Sequence, residues 1–419
     1  MAAIAHASTT VTTPATTISA TYVTASGASI ASGSFTTGKK YLLCVMAAVA
    51  GNAAAMAVGV RVQHGTTAFA ESESLARISG AGETFSYAWF TVWTAVAGEA
   101  IDLQLKSDGT NTCSADHIVL LAVNLSDDVT ENTDWFFAER ATDDALGVAF
   151  TDGASVTFTP GTASQDWLVL AYGQYDSTST AQSHISRIDR SGEATSSLPE
   201  CRYEPESAVD DNGIMSQARV FTLGAASNTF KEQSAATLAA THTRLHSGLF
   251  ILRLHRFFVH ANAYTEADEA LSATNYATLL QSVAINPTLT TDVWAGASWG
   301  FDKQANAREA KFRLQVDDVD SPAGQTADAT VYDRGNDATD ELPFMIQTVA
   351  SLGASTHAVD LDASVDNVTS APAGQYRSVW AVTMELAAAG VAAKPHPMPR
   401  GQERGQDRRL YTRAGAGVG

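Results

Sequence analysis

Val60-Arg61-Val62 is repeated as Ser186-Arg187-Ile188 and as Phe312-Arg313-Leu314, and the three arginines stand at strict intervals of 126 residues. The apolar run before each arginine keeps the same interval, in the segments Lys40–Val45, Asp166–Ala171 and Asp292–Ala297. One matching pair could be coincidence, whereas several landmarks with a common offset indicate homologous copies of one unit. The sequence therefore predicts three tandem copies of one β-domain.

Further landmarks follow the repeat with small shifts. Upstream of the apolar runs lie Gly27–Ile30, Gly153–Val156 and Gln281–Ala284, the third displaced by about two residues. Val220 and Ile346 keep the 126-residue interval, and the last strands fall at Ile118–Leu125, Leu249–Leu254 and Val379–Leu386, with an offset of about 130. Insertions of this kind belong in loops. Because a solenoid repeat has only about 20 to 50 residues, we expect each copy to be a complete domain with its own core.

The copies divide the chain into residues 1–130, 131–258 and 259–387, followed by a tail at 388–419. Short strand-like stretches recur about every 10 to 16 residues between turn-forming residues. About eight strands fit into each copy, as in a jelly roll with Greek-key connections. We therefore expect an all-β chain of three tandem jelly-roll-like β-sandwich domains. An immunoglobulin-like sandwich is the alternative.

Some segments carry more specific expectations. Ser86–Val96 has large side chains on both faces, which predicts a strand that is buried twice or faces a neighbouring domain. Arg377–Leu386 predicts a half-buried strand. Thr265–Leu280 is the one stretch that favours a helix, as an interdomain connector. Gly51-Asn52 is a turn between two strands, with the composition of a type I′ or II′ hairpin.

Composition argues against several classes of protein. The 419 residues carry a net charge of −19, which disfavours nucleic acid or an anionic membrane as a partner of the main surface. Three cysteines, Cys44, Cys113 and Cys201, give no disulfide framework and predict buried thiols. Residues 1–20 lack the regions of a secretory signal, so we expect synthesis in a host cytoplasm. The apolar stretch 41–60 is not expected to span a membrane, because its equivalents in the other copies contain charged residues.

The tail differs in character from the rest of the chain. It is rich in Pro and Gly and contains five arginines, Arg400, Arg404, Arg408, Arg409 and Arg413. A segment of this composition cannot bury enough apolar surface to fold alone. It is either a disordered or extended, solvated end, or an anchoring arm that orders on an acidic partner such as a neighbouring copy of the protein.

The sequence contains no nucleophile elbow, Walker loop, dinucleotide fingerprint or metalloprotease helix. We therefore predict no enzyme, no catalytic residue, no metal ligand and no cofactor. His242 and His246 lead into a strand, where this spacing does not form a zinc site. The aspartates between Asp317 and Asp340 lack the rhythm of a calcium loop and favour a solvated acidic loop. The repeated arginines either anchor a strand surface or converge around an axis, and the structural role is favoured.

An acidic chain of tandem sandwiches, rich in Ala, Thr, Ser and Gly over residues 9–386, resembles the accessory virion proteins of tailed bacteriophages. These include capsid decoration proteins, head fibres, and neck or tail fibre components. The chain is also similar to the trimeric jelly-roll modules of the tumour-necrosis-factor and complement-C1q kind. Neither resemblance carries a diagnostic motif, and no functional residue is transferred from either group.

The resemblance implies a non-enzymatic structural protein located in the virion, either a capsid decoration protein or a head or neck accessory protein. Its partners would be other virion proteins and possibly itself, and face-to-face packing of the copies would make a built-in pseudo-trimer. The alternative is a tail-fibre or receptor- or carbohydrate-binding protein, with stacking platforms drawn from Trp89, Trp93, Trp135 and Trp299. Large aromatic residues are, however, more often core. A polysaccharide-degrading enzyme is the remote alternative.

Overall fold

The computed structural model describes residues 3–385 except 12, 79–80, 82–83, 128, 181, 192–199, 204–211, 240, 258, 272–275, 277, 303–308, 322–328, 333–340 and 366–372. Regular structure in this part of the chain is almost entirely β. The helical segments described there are three single 3-10 turns, Ser32–Ser34, Ala70–Ser72 and Leu254–Arg256. The structure confirms the predicted all-β class.

The strands group into three sandwiches along the chain. The strands of sandwich 1 are β1 (His6–Val11), β2 (Ala15–Thr17), β3 (Val23–Ile30), β4 (Lys40–Gly51), β5 (Ala57–His64), β6 (Thr67–Ala68), β7 (Ser74–Arg77), β8 (Thr84–Thr94), β9 (Ile101–Lys106) and β10 (Cys113–Asn124). The strands of sandwich 2 are β11 (Trp135–Ala145), β12 (Thr151–Phe158), β13 (Gln165–Ser177), β14 (His184–Ser191), β15 (Cys201–Tyr203), β16 (Gly213–Leu223), β17 (Asn228–Ala236) and β18 (His242–Arg253). The strands of sandwich 3 are β19 (His260–Thr265), β20 (Glu269–Ala270), β21 (Thr278–Ile285), β22 (Thr291–Asp302), β23 (Glu309–Val316), β24 (Val319–Ser321), β25 (Ala329–Tyr332), β26 (Glu341–Leu352), β27 (His357–Val365) and β28 (Ala373–Thr383).

Each sandwich has the same two antiparallel sheets. The inner sheets have the orders β1-β10-β4-β8, β11-β18-β13-β16 and β19-β28-β22-β26. The outer sheets have the orders β3-β9-β5-β7, β12-β17-β14-β15 and β21-β27-β23-β25. We number the eight strands named in these orders from 1 to 8 along each sandwich. In every sandwich the inner sheet then has the order 1-8-3-6 and the outer sheet the order 2-7-4-5, which is the strand order of a jelly roll. The predicted triplication of a jelly-roll-like fold is thereby confirmed.

Adjacent sandwiches are joined by strand contacts. Arg202 of β15 pairs with Glu341 of β26, which links the outer sheet of sandwich 2 to the inner sheet of sandwich 3. Leu75 of β7 pairs in the same way with Asn212, one residue before β16. In addition, β25 of sandwich 3 contacts β8 of sandwich 1. The fifth strand of each sandwich therefore lies beside the sixth strand of the next, and the series returns to sandwich 1.

The inner sheets are covered on both faces. Every residue of Tyr41–Val49 in β4, of Trp167–Tyr175 in β13 and of Val293–Phe301 in β22 is buried. Such unbroken burial is expected where a sheet has neighbours on both sides. The apolar residues of all three sandwiches form a single buried cluster. The cores of the three copies are therefore continuous with one another, because the outward faces of the inner sheets pack together.

Two strand predictions have opposite outcomes. In β8, both Trp89 and Phe90 are fully buried, which confirms a strand with two covered faces. In β28, Val379 and Ala381 are as buried as Trp380 and Val382. The half-buried assignment of this strand is wrong, because β28 is an interior strand of an inner sheet.

Three local predictions need correction. The segment Thr265–Leu280 contains strand and no helix in its described residues, because pairing of β19 and β20 with β28 outweighs its helical propensity. The turn at Gly51-Asn52 is not a hairpin, since β4 and β5 belong to different sheets. Val220, which lies opposite Leu168, is equivalent to Val349 opposite Trp294. Ile346 is therefore out of register with Val220, because an insertion precedes β26.

Candidate functional site

The three repeated arginines make equivalent contacts on the outer sheets. In each case Nε donates to a side-chain oxygen on the neighbouring seventh strand, and the guanidinium lies over an aromatic ring near the second strand. The acceptors are Gln104 Oε1 at 2.8 Å from Arg61, Gln233 Oε1 at 3.0 Å from Arg187, and Asp362 Oδ2 at 3.2 Å from Arg313. The rings belong to Tyr22, Phe150 and Tyr276, with centroids 4.1, 3.8 and 4.4 Å from the guanidinium carbon.

These contacts give the arginines a structural role. A planar guanidinium can donate within its plane while an aromatic ring covers its face. Each arginine thereby ties the chain around the second strand of its sandwich to the two central strands of the same outer sheet. The contacts described for the three residues lie within their own sandwiches, so they do not form a common site.

One set of equivalent positions connects the inner sheets. The Phe90 ring of β8 meets the Tyr172 ring of β13 edge to face, with centroids 5.1 Å apart. At the next junction the Ala218 amide of β16 donates to Ser298 Oγ at 3.0 Å. At the third, the Gln347 amide of β26 lies 2.9 Å from Met46 Sδ.

The strand registers make these three contacts equivalent. Phe90, Ala218 and Gln347 lie opposite Cys44, Leu170 and Gly296, which are 126 residues apart. Their partners Met46, Tyr172 and Ser298 keep the same interval. The contacts therefore run from sandwich 1 to 2, from 2 to 3, and from 3 back to 1.

A second set of equivalent positions follows the same cycle. Lys40 Nζ lies 5.5 Å from the centroid of the Trp135 ring, between sandwiches 1 and 2. Asp166 Oδ2 is 3.2 Å from His260 Nε2, between sandwiches 2 and 3. Asp292 Oδ2 is 3.1 Å from His6 Nε2, between sandwiches 3 and 1. The first members are 126 residues apart, and the second members each lie at the start of a sandwich.

The contact between sandwiches 3 and 1 is reinforced by backbone pairing. The Ile4 amide donates to the Met384 carbonyl at 2.9 Å, and Ala3 forms an antiparallel bridge with Glu385. Ile4 is buried, with 1% of its surface exposed. The residues just before β1 therefore lie beside the residues just after β28.

Sandwich 2 contains a buried polar group that no sequence motif indicates. Arg244 Nη1 donates to Glu232 Oε2 at 3.1 Å, and its Nη2 donates to Asp144 Oδ2 at 2.7 Å. Tyr175 Oη donates to Glu232 Oε1 at 3.2 Å. Arg244 and Glu232 each expose 1% of their side chains. Burial raises the pKa of the Glu232 carboxyl above its usual value, although the charge of Arg244 opposes that shift.

The polar group is specific to sandwich 2. By strand register, Tyr175, Glu232 and Arg244 correspond to Val49, Leu103 and Ala115 in sandwich 1. A Cβ on Gly153 would lie 2.1 Å from Glu232 Oε2, so glycine leaves the space that the carboxylate occupies. The surrounding residues enclose this group, which is therefore a buried ion pair of the core.

His242 and the four tryptophans considered for metal binding or sugar stacking are packed in the protein interior. Burial lowers the pKa of His242 to about 4, and its ring nitrogens lie beside Thr241 and Ser177 hydroxyls at 3.0 and 3.3 Å. Trp89, Trp93, Trp135 and Trp299 expose 6% of their surface or less and offer no stacking platforms. The three cysteines are free and buried, as predicted.

The acidic segment of sandwich 3 begins in a tight turn. Asp317 and Asp318 have φ values of 52° and 61° and connect β23 to β24 by a two-residue hairpin. Asp317 also accepts from the Ala358 amide at 2.9 Å. These two aspartates therefore serve turn geometry, where a short polar side chain tolerates positive φ. Asp328, Asp333, Asp337, Asp340 and the tail arginines Arg400, Arg404, Arg408, Arg409 and Arg413 lie outside the described residues.

An open groove runs along the edge of sandwich 2. It is lined by Asn132, Phe136, Phe137 and residues 155–159. The Phe136 ring stacks on the Phe158 ring, with centroids 4.6 Å apart. The groove lies between the edge strands β11 and β12, on the opposite side of the sandwich from β15 and β16.

Comparison with known proteins gives matches in structure only. No protein-family model and no curated protein matches the chain. An insecticidal delta-endotoxin from Bacillus thuringiensis matches 48% of the chain at 11% identity with a TM-score of 0.21, and the chain spans only 42% of that toxin. A protein of an archaeal virus, described by its triple jelly roll fold and turret assembly, matches 82% of the chain and 79% of its own length at 12% identity and a TM-score of 0.21.

The MCP of the archaeal virus STIV matches 60% of the chain and 96% of its own length, at 9% identity with a TM-score of 0.23. The chain therefore resembles virus proteins with jelly-roll folds only distantly, and its fold assignment rests on the strand order. No helix in the described part of the chain is long and apolar enough to cross a membrane.

Proposed function

We propose that the protein is a non-enzymatic structural component of a virion and that it acts as a single-chain counterpart of a jelly-roll trimer. The observation that carries this proposal is the cycle of contacts between equivalent positions. Each inner sheet contacts the next one at equivalent positions, through Phe90–Tyr172, Ala218–Ser298 and Gln347–Met46. Cyclic packing of similar units produces a closed, threefold-like body.

A pseudo-threefold body suits a position where three capsid subunits meet. Its outer sheets keep alternating exposure, as in the first six residues of β17, so they offer polar surface to water or to other virion proteins. The inner sheets are covered by contacts within the chain. The finer form of the proposal is a capsid decoration or head or neck accessory protein of a tailed bacteriophage.

The absence of enzymatic activity is part of the proposal. The side chains of Arg244 and Glu232, each 1% exposed, are enclosed between the sheets of sandwich 2. The repeated arginines are held by aromatic rings and side-chain acceptors within their sandwiches. Neither arrangement presents a reactive side chain to a substrate-sized cavity.

The basic tail is proposed to anchor the protein. Arg400, Arg404, Arg408, Arg409 and Arg413 follow a body whose net charge is strongly negative, so an acidic neighbour on the particle would attract the tail more than the body. Glu385, the last described residue before the tail, pairs with Ala3 at the contact between sandwiches 3 and 1.

The test compares particles made with and without this protein. We expect the protein to co-purify with intact particles, and we expect image reconstruction to lose a three-lobed density when its gene is deleted. Replacing the five tail arginines by glutamine should reduce its occupancy on particles, whereas replacing them by lysine should retain it. Unchanged density together with absence of the protein from washed particles would refute the structural role. Binding to host glycans by the purified protein without particle association would favour the receptor-binding alternative.

A further inference from the structure

Asp166, His255 and His260 come together where sandwich 2 passes into sandwich 3. Asp166 lies near the start of β13, His255 lies in the 3-10 turn that follows β18, and His260 is the first residue of β19. One ligand atom from each residue lies within 4.8 Å of those of the other two. Among the described residues, no other group of three His, Cys, Asp or Glu side chains meets that condition.

We propose that these three residues form a binding site for a divalent transition-metal ion, with Zn²⁺ as the ion that fits the ligands best, and that the bound ion fastens sandwich 2 to sandwich 3. Two imidazoles and one carboxylate are a recurrent set of zinc ligands, and a water molecule then completes a tetrahedron. The proposal goes beyond the structural role in a virion and does not depend on it.

The spacing of the donors agrees with a small ion. Ligands about 2.1 Å from a tetrahedral zinc ion stand about 3.4 Å apart. Asp166 Oδ2 and His260 Nε2 are already 3.2 Å apart. The donor atom of His255 lies within 4.8 Å of the other two donor atoms, so the His255 ring has to rotate towards them to bind the same ion. That rotation gives up one hydrogen bond, in which His255 Nδ1 accepts from the Asp166 amide at 3.0 Å.

The surroundings hold the ligands in place. His260 is buried. Asp166 accepts from Thr222 Oγ1 and from Asn262 Nδ2, the latter at 3.3 Å. Such outer contacts orient metal ligands and raise affinity. They come from β16 and β19, so the site draws on both sandwiches.

The other two junctions provide internal comparisons. The equivalent pair between sandwiches 3 and 1, Asp292 Oδ2 and His6 Nε2, is 3.1 Å apart, but no third ligand lies within range among the described residues. The junction between sandwiches 1 and 2 has Lys40 and Trp135, which cannot bind a metal. In the part of the chain that the structure describes, only the middle junction combines three such donors, so we expect a single ion per chain.

The experiment is isothermal titration of the full chain with Zn²⁺, after treatment with a chelator. We expect one site with micromolar or tighter affinity. His260→Asn and His255→Asn should each weaken binding at least about tenfold. The matched variant His6→Asn changes the equivalent histidine at the other junction and should bind as the wild type does. In wild-type protein, Co²⁺ should give the visible absorption of a tetrahedral site containing nitrogen and oxygen ligands.

Three outcomes would overturn the proposal. They are no zinc binding by the wild type, equal binding by the His255 and His260 variants, or equal loss in the His6 variant. If a variant fails to fold, X-ray absorption at the zinc edge of the wild-type complex still decides the matter. Two imidazole ligands in that spectrum support the site, whereas a shell of oxygen ligands alone contradicts it.

Discussion

At the scale of single residues, each repeated arginine joins strands that are distant from one another in the sequence. Gln104, Gln233 and Asp362 lie more than 40 residues after Arg61, Arg187 and Arg313. They meet the arginines only because the seventh strand pairs with the fourth in a jelly roll. Strand order therefore had to be known before the role of the arginine could be assigned.

The Asp166 cluster and the Arg244 group were missed for the same reason. Asp166 is separated from His260 by most of sandwich 2, and Glu232 faces Arg244 across two sheets. One signal was present: Asp166 and Asp292 occupy the same position in two copies, where Lys40 stands in the first. A shared acidic residue at the start of an apolar strand marks a polar contact, although it does not identify the partner.

The Arg244–Glu232 pair leads to a prediction about stability. Arg244→Ala should lower the free energy of unfolding by about 3–5 kcal/mol, because it leaves a buried carboxylate without its partner. The double variant Glu232→Leu with Arg244→Ala copies the residues that sandwich 1 has at these positions, Leu103 and Ala115. The double variant should lower the free energy of unfolding by less than Arg244→Ala alone, because no unpaired charge stays between the sheets.

Urea unfolding of both single variants and the double variant gives the coupling energy of this pair. Asp144 keeps a partner in every variant, because it also binds Arg140 Nη2 at 3.0 Å. Additive losses in the double variant would mean that the two side chains do not depend on each other, contrary to the geometry.

At the scale of elements, strands in the central part of each copy were predictable because apolar runs of strand length recur in register. The predicted burial of each strand face was correct for β8, where both faces carry large residues. The prediction for β28 was wrong. In β28, Val379, Ala381 and Thr383 look like a weakly polar outer face, yet all three are fully buried. Small residues on a strand can signal close packing as well as exposure, and sequence alone does not separate these cases.

The outward face of β8 leads to a prediction. Phe90→Ala should lower the free energy of unfolding by about 3–5 kcal/mol, as for a core phenylalanine, because the ring fills the contact with Tyr172 of sandwich 2. In an isolated sandwich this face would meet water. Leu279→Ala is the control, because this leucine is also on a strand but is 54% exposed. This substitution should change the free energy of unfolding by no more than about 0.5 kcal/mol. Urea midpoints that are equal for the two variants would show that the inner sheets are not packed together.

At the scale of the whole molecule, the sequence predicted three copies but not their common core. The contacts that join the copies occupy equivalent positions with different chemistry: aromatic rings at one junction, an amide and a hydroxyl at the next, an amide and a thioether at the third. A repeat search looks for similar residues, whereas these positions share only their location. Their equivalence becomes visible once the strand registers are known.

The common core predicts that the three sandwiches unfold together. Leu103 in sandwich 1 and Leu361 in sandwich 3 occupy equivalent positions and are both fully buried. Replacing either by alanine should cost about 2–5 kcal/mol and should move one shared thermal transition, because loss of one sandwich exposes the inner sheets of the other two. Differential scanning calorimetry, with tryptophan fluorescence as a second probe, measures this. Separate transitions, of which only one shifts in each variant, would instead describe three domains with independent cores, and the cyclic contacts would then contribute little to holding the molecule together.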